Sequence, residues 1–390
     1  MDKKKRLAIG LMSGTSLDGI DAALVEIEGA GRTTKVSLIA FESVSYSQEE
    51  RQVLLALCDR HQSTVDKICR YNVELGKKFA EAAVAVTEKA NLTLADVDFI
   101  SSHGQTIYHM PDHAATFQIG ELSVIAEQTG CLTIGDYRPS DMAVGGQGAP
   151  LVPFVDDLLF RDETKGRILV NIGGISNLSV LEATGSEKGV LALDTGPGNV
   201  LIDAVVQIGS QGENIFDENG SIAASGQVDE KWLQEIVDQD YYLKMDLPKT
   251  TGRELYTWEM AERLYEEGRE KRLAYEDIVA TITAYTVQAI SYHIKKVVDP
   301  QYDTHELIVA GGGVHNKTIL AGLQDNLSQS VRTLDELHFS SDAKEAITFA
   351  ILGNEYLHGH PNHLPSATGA NKEVSMGKLV LPSALTEGEQ

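Results

Sequence analysis

Leu7-Ala-Ile-Gly-Leu-Met-Ser-Gly-Thr-Ser-Leu-Asp-Gly-Ile-Asp-Ala-Ala-Leu-Val-Glu-Ile27 holds two apolar runs, 7–12 and 20–27, around a tip of small and polar residues. Apolar runs of this length read as buried strands, and glycines between them read as a hairpin. The tip carries Ser13, Gly14, Thr15, Ser16, Leu17, Asp18 and Gly19. Such a tip can turn backbone N–H groups and hydroxyls toward one point, which suits a phosphate. Asp18 repels a bare phosphate but suits one that arrives with Mg²⁺, held through water. Taken alone, the stretch also reads as an ordinary hairpin with a polar turn.

A second copy changes that balance. Residues 167–172, Arg-Ile-Leu-Val-Asn-Ile, form a strand pattern, Gly173-Gly174-Ile-Ser-Asn177 a turn, and 178–182 a return strand. Aligned on their turns, residues 10–18 and 170–178 are two versions of one device, about 160 residues apart. A strand–turn–strand repeated at that distance predicts two related α/β domains facing each other across a cleft, with a nucleotide's phosphates between them. The expected halves are 1–140 with 358–390, and 141–357.

Outward from the hairpins, polar groups fall at strand ends, where α/β sheets place ligands. The strand at 98–102 runs into Ser-His103-Gly-Gln105-Thr. A long segment, 136–150, carries Asp136, Arg138 and Asp141 among three glycines and two prolines. Arg138 reads as a substrate clamp or as a surface ion pair. The strand at 190–193 leads to Asp194-Thr195-Gly-Pro-Gly-Asn199, where Asp194 reads as a cleft-facing acid or as a helix N-cap. The strand at 306–310 ends in Gly311, Gly312 and Gly313, then Val-His-Asn316. Three glycines let a flat base approach the backbone. Helix patterns are expected at 65–89, 122–129, 152–160, 200–208, 275–297, from 317, and at 343–356. The last of these has Ser341 and Asp342 as caps and Glu345 in its first turn. His358, His360 and His363 lie in His-Gly-His-Pro-Asn-His, where Gly and Pro spoil ligand geometry, so a solvated loop is expected rather than a metal site. The tail from 365 reads as loop, with its last eight residues frayed.

Composition narrows the class. The 390-residue chain has 33 Lys plus Arg against 57 Asp plus Glu, a net charge of −24, which argues against nucleic-acid or anionic-membrane partners. Its three cysteines, Cys58, Cys69 and Cys131, have no C-x-x-C spacing and fit reduced thiols in a cytosol. The basic start followed by an apolar run is too short for a signal peptide, and no stretch is long enough to span a membrane. A Walker loop fails because Ile20 and Asp21 stand where Lys and Ser/Thr are required. No dinucleotide fingerprint, nucleophile elbow or zinc motif is present. The remaining set reads as a two-domain ATP-dependent phosphotransferase.

The motifs at 10–21, 102–106, 135–150, 171–177, 193–199 and 311–316 resemble the anhydro-N-acetylmuramic acid kinase family over nearly the whole chain. The resemblance implies two domains of the actin/hexokinase/heat-shock-ATPase fold. It implies cleavage of the 1,6-anhydro bridge of anhydro-N-acetylmuramic acid with phosphorylation of O6, in cytoplasmic cell-wall recycling, using ATP and Mg²⁺. It leaves a homodimer open. By motif, residues Gly14 through Asp21, Gly173, Gly174, Asn177, Gly311, Gly312, Gly313 and Asn316 are implied to bind ATP. Asp194 is the implied base, and His103, Gln105, Asp136, Arg138, Thr195 and Glu345 are implied beside the sugar. Two rivals stay open: a simple hydroxyl kinase on another sugar, and a non-catalytic ATP-driven clamp or filament protein.

Overall fold

The computed structural model describes residues 5–14, 17–186, 188–247, 249, 251 and 255–383. Among these, the strands run, in chain order, β1 Lys5–Ser13, β2 Gly19–Glu28, β3 Lys35–Ser45, β4 Phe99–Met110, β5 Ala115–Ile119 and β6 Thr133–Gly135. Next come β7 Arg167–Ile172, β8 Ile175–Leu181, β9 Leu191–Pro197, β10 Glu306–Ala310, β11 Ser330–Thr333 and β12 Lys378–Val380. The chain divides into two compact units, 1–159 with 343–390 and 160–342. The expectation from sequence puts the crossings at 140/141 and 357/358. The helix Lys344–Leu357 sits in the first unit because it packs on β1, β2 and β4 of that unit's sheet.

In the first unit the sheet order is β12-β6-β4-β1-β2-β3, with β5 paired to β4. β1–β2 and β2–β3 are antiparallel, while β1–β4 and β4–β6 are parallel. In the second unit the order is β11-β10-β7-β8-β9. There β7–β8 and β8–β9 are antiparallel, and β7–β10 and β10–β11 are parallel. The same meander, extended on its first strand by two parallel strands, occurs in both units. Two related α/β units are what the two hairpins predict, and the actin-like fold is what the family resemblance implies for them.

The apolar runs form strands because both sheet faces are covered, which removes the need for alternation. Ile9, Leu11, Ile20, Ala22 and Leu24 are fully buried. The helix Val65–Lys89 buries Leu75, Phe79, Ala82, Ala83 and Val86, one stripe at helical spacing, against β1, β2 and β3. Lys344–Leu357 is buried almost all round, and its Lys344 pairs with Asp156 at 2.8 Å. In the second unit the helix Tyr275–His293 is the buried centre, packed by Val200–Gly209, Glu230–Gln239 and Lys317–Asn326. Among the described residues no helix is long and apolar enough to cross a membrane.

Several elements differ from the sequence reading. β4 runs on to Met110, so His103 and Gln105 lie inside a strand that pairs with β5 rather than in a loop after it. Bulges in β4 make that polar stretch compatible with pairing. The long helix stops at His293 and ends in a π turn, Ile294–Val298. Ser341 does not cap the final helix: its hydroxyl donates to Asp335 at 2.7 Å, and Ala343 is the N-cap residue. The tail supplies β12, antiparallel to β6. Residues 384–390, within the stretch expected to fray, lie outside the described residues.

Candidate active site

In the first unit, Thr15 and Ser16 of the hairpin tip lie outside the described residues. Leu17 is buried at φ 56°, and its N–H donates to Gly14 O at 3.3 Å. Gly19 and Ile20 already belong to β2, and Ile20 is in the core. Behind the tip, the Ser13 hydroxyl lies 2.6 Å from Gln105 Oε1, 2.9 Å from Gly19 O and 2.9 Å from Tyr46 Oη. Gln105 is buried, and its Nε2 donates to Thr106 O at 3.2 Å. Its amide therefore braces the hairpin from inside. The Asp18 carboxylate is exposed and 3.7 Å from Arg51.

His103 is buried beside Arg138. Its Nδ1 is 2.9 Å from Gly104 O, and its Nε2 faces Arg138 Nε at 3.1 Å and Nη2 at 2.9 Å. A carbonyl can only accept and a guanidinium can only donate. His103 is thus the neutral tautomer with its proton on Nδ1. Burial, then the Arg138 charge, push its pKa down to about 3. Burial also pulls Arg138 down to about 10, opposed by Glu345 and Asp141, and it stays cationic at neutral pH. Glu345 titrates above the usual carboxylate range: burial raises it, Lys344 opposes, the Asp21 charge raises it further and Arg138 opposes. His103, Arg138, Glu345 and Asp21 thus form one electrostatic group. Asp136 (φ 54°) turns instead to the Lys378 ammonium on β12.

In the second unit, cross-strand pairing sets Asn171 on β7 opposite Asn177 on β8, and Asn177 opposite Asp194 on β9. Direct partners share a sheet face, so these three side chains make a polar row across the meander. Asp194 Oδ2 accepts from Thr251 N at 2.9 Å, and its carbonyl accepts from the Tyr242 hydroxyl at 2.9 Å. It is therefore a strand residue held from two sides, not a helix N-cap. Thr195 is buried, and its hydroxyl donates to Ser176 O at 3.1 Å. The turn at Gly173 and Gly174 is closed by main chain: Asn199 N donates to Gly173 O at 2.8 Å, and Gly198 N and Val200 N donate to Gly174 O.

The three glycines at 311–313 differ in what requires them. Gly311 takes φ 79°, and a β-carbon on Gly313 would lie 2.5 Å from Ile172. At Gly312 a β-carbon would make only an ordinary contact, with Asn199 Nδ2 at 3.8 Å. Turn and packing thus account for two of them, and neither requires glycine at 312. Asn316 caps the helix Lys317–Asn326, its Oδ1 accepting from Thr318 N and Ile319 N at 3.1 Å.

Sequence reasoning passed over Asn171 and Thr251. Asn171 left a trace, being a polar residue inside an otherwise apolar strand beside Val170 and Ile172. Thr251 left none, because its contact spans 57 positions. The histidine segment also differs from a solvated loop: His363 is buried on Asp141 at 2.6 Å, and His360 bonds Glu355 at 2.8 Å. Among the described residues no group of three or more His, Cys, Asp or Glu converges on a metal position. Mg²⁺ keeps several waters and relies on substrate phosphates, so exposed Asp18 fits it only through water.

Comparison with known proteins bears on this geometry. The family described as "Anhydro-N-acetylmuramic acid kinase" matches residues 6–382. An anhydro-N-acetylmuramic acid kinase of Caldanaerobacter subterraneus subsp. tengcongensis is 45% identical over 389 residues, covering 97% of this chain and 98% of that one. One of Bacillus cereus (strain AH187) is 44% identical over 382 residues, covering 96% and 99%. Among solved structures, component A of the Acidaminococcus fermentans (R)-2-hydroxyglutaryl-CoA dehydratase has a TM-score of 0.49 at 12% identity, covering 89% of this chain and 96% of that one. A ROK hexokinase from Thermus thermophilus has a TM-score of 0.35 at 12% identity, with 89% and 97% covered. These structural scores are too low to bear on the site. The family match and the two kinases, over almost the full length, decide it: the chain belongs to the anhydro-N-acetylmuramic acid kinase family.

Proposed function

We propose that the chain is an ATP-dependent kinase that opens the 1,6-anhydro bridge of 1,6-anhydro-N-acetylmuramic acid and phosphorylates O6. The products are N-acetylmuramic acid 6-phosphate and ADP, and the setting is cytoplasmic recycling of cell-wall sugar. The observation that carries the chemistry is Asp194: a half-buried carboxylate in a polar row, with Oδ2 fixed by the Thr251 N–H. A fixed carboxylate suits a general base.

In an anhydro sugar O6 is locked in an acetal and cannot attack. Asp194 takes a proton from water as that water's oxygen bonds to C1. The C1–O6 bond breaks, its electron pair stays on O6, and O6 bonds to the γ-phosphorus as the bond to ADP breaks. The polar row of Asn171 and Asn177 orients the water and sugar hydroxyls; by motif, the glycine-bearing stretches that bind ATP are 14–19 in the first unit and, in the second, 173–174 and 311–313. Asp18 would hold Mg²⁺ through water, and the ion would supply neutralisation of phosphate charge when bound. Arg138 supports this reading on the sugar side, because a guanidinium pairs well with the carboxylate of a muramic acid. Neutral His103 keeps Arg138's fork oriented without adding a competing charge.

The test is incubation with ATP, Mg²⁺ and the anhydro sugar in ¹⁸O-water, followed by product mass. One ¹⁸O at C1 of a phosphorylated, ring-opened product is expected. Phosphorylation without ¹⁸O at C1 would instead favour a simple hydroxyl kinase. ATP turnover indifferent to sugar would favour the non-catalytic clamp.

A further inference from the structure

The C-terminal segment 362–376 has no part in the mechanism above, yet it holds some of the most buried polar groups of the first unit. Asn362 and His363 are 0% and 2% exposed, and Asp141, which His363 meets, is 0% exposed. Buried polar groups persist only when satisfied, and removing one partner costs more than the bond contributes.

The segment is pinned at both ends. Asn362 Nδ2 donates to Leu352 O on the buried helix Lys344–Leu357 and to Met376 O, both at 3.0 Å, and Met376 N returns a bond to Asn362 Oδ1 at 2.6 Å. Between those ends, Val374 N donates to His363 Nε2 at 2.9 Å. That leaves the proton of neutral His363 on Nδ1, 2.6 Å from Asp141 Oδ1. Thr368 Oγ1 donates to the same oxygen at 2.7 Å. The other oxygen, Asp141 Oδ2, accepts from Gly148 N at 2.7 Å. Gly148 O in turn accepts from Arg138 Nη1 at 2.6 Å, and the opposite side of that guanidinium meets His103 Nε2. Main-chain bonds run parallel to this chain of contacts: Gln147 N to Thr368 O at 2.8 Å, and Asn371 N to Val144 O at 2.9 Å. Burial pushes the Asp141 carboxyl upward, but His363, Thr368 and the Gly148 N–H outweigh it and hold it below the ordinary range.

We propose that residues 362–376 act as a strap that positions Arg138 for the sugar, with His363 and Asp141 as its positioning residues. The proposal rests on the assignment of Arg138 and His103 to the sugar. The guanidinium has one clamp on each side. His103 holds it from β4, and the Gly148 peptide holds it from the 136–150 segment. The peptide is fixed only as well as Asp141 is fixed, and His363 and Thr368 fix Asp141 from the tail. Loss of His363 lets the Gly148 carbonyl wander and releases one side of Arg138. Among the described tip residues, Gly14, Leu17, Asp18 and Gly19 are not partners in these bonds, and the tip meets His103 only from the β4 side, so the KM for ATP serves as the internal control for a lesion made from the tail.

The test is steady-state kinetics of the full chain with ATP and the anhydro sugar, for His363→Ala, His363→Asn and Thr368→Val. His363→Ala is expected to raise the KM for the sugar roughly tenfold, the scale of one lost hydrogen bond to a charged group, with the KM for ATP within about twofold. His363→Asn keeps a donor near the Nδ1 position and should recover most of that loss. Thr368→Val, the smaller lesion, should fold even if His363→Ala does not, and should raise the sugar KM roughly threefold. Hydrogen exchange at 143–149 should quicken in each variant that shifts KM. The strap is overturned if the variants lose only active fraction with both KM values unchanged, or if both KM values move together. Failure of the underlying assignment looks different: the wild-type chain itself does not turn over the anhydro sugar, before any variant is made.

Discussion

Ser13, at the end of β1, ties its hairpin to the side chains of Gln105 and Tyr46. The matching turn after β7 is tied by backbone, with the N–H groups of residues 198–200 donating to the carbonyls of Gly173 and Gly174. One topology is therefore braced in two ways. Side-chain bracing depends on residue identity and couples the tip to whatever the partners touch. Here Gln105 lies two residues from His103, which holds Arg138. Main-chain bracing tolerates side-chain change but needs close approach: a β-carbon on Gly198 would sit 2.2 Å from Gly173 O. In the first unit the polar side chains serve recognition and support together. In the second, backbone carries the support of the turn, and the Asn171–Asn177–Asp194 row, which takes no part in closing it, is where the proposed mechanism puts the chemistry. The lesson is that a duplicated device need not duplicate its energetics.

The strongest way to break this contrast is at the row itself. Asp194→Asn should retain ATP binding and lose at least about 10²-fold in kcat, the lower range for a general base. Calorimetry with ATP, followed by rate measurement, checks both halves. Turnover close to wild type would move the chemistry elsewhere. Next, Ser13→Ala strands the buried Gln105 oxygen and should lower unfolding stability by about 1–3 kcal/mol in denaturant melts. The matching change in the second unit, Asn199→Ala, removes one 3.3 Å side-chain bond to Ile172 O and leaves the backbone bonds intact. It should cost about 1 kcal/mol or less. Equal losses in the two variants would erase the distinction between the braces.

Acid sharpens the comparison differently, because each unit buries a neutral histidine. Burial and Arg138 depress His103 to about 3, and burial depresses His293 to about 4. An unfolded histidine binds its proton near pH 6.5, whereas these two stay unprotonated in the folded chain until far lower pH. The unfolded state therefore binds more protons across that window, and stability falls as pH drops from about 6.5. His103 alone contributes a loss of about 2 kcal/mol by pH 5. Melts of wild type and His103→Gln between pH 7 and 5 measure it. The variant should start lower but fall less, and parallel curves would mean that His103 is not held neutral by its surroundings.

Much of this was legible in the chain. The hairpin at 7–27 and its echo at 167–182 announced two α/β units, because apolar runs of strand length around glycine turns have few other solutions. Asp194 stood out because an acid beside Gly-Pro-Gly at the end of an apolar run is rarely placed for packing alone. Other roles were hidden. Gln105 reads as a ligand contact, yet its amide sits inside the protein bracing Ser13. Asp136 reads as part of the same polar stretch, yet it turns to Lys378. Of the three glycines at 311–313, two answer to turn and packing.

The strand–turn–strand units, the family and the acid at the end of an apolar run follow from local pattern, since hydrophobic periodicity and turn chemistry act over a few neighbours; the order of strands in each sheet does not. Which polar groups face a ligand and which are consumed by the fold does not follow from pattern. Ser13 meets Gln105, Asp194 meets Thr251, and Asp141 meets His363 across separations of 92, 57 and 222 positions. Contacts at those distances exist only once the sheets and helices have packed. Until then each polar side chain is equally free to serve water, the backbone or a substrate.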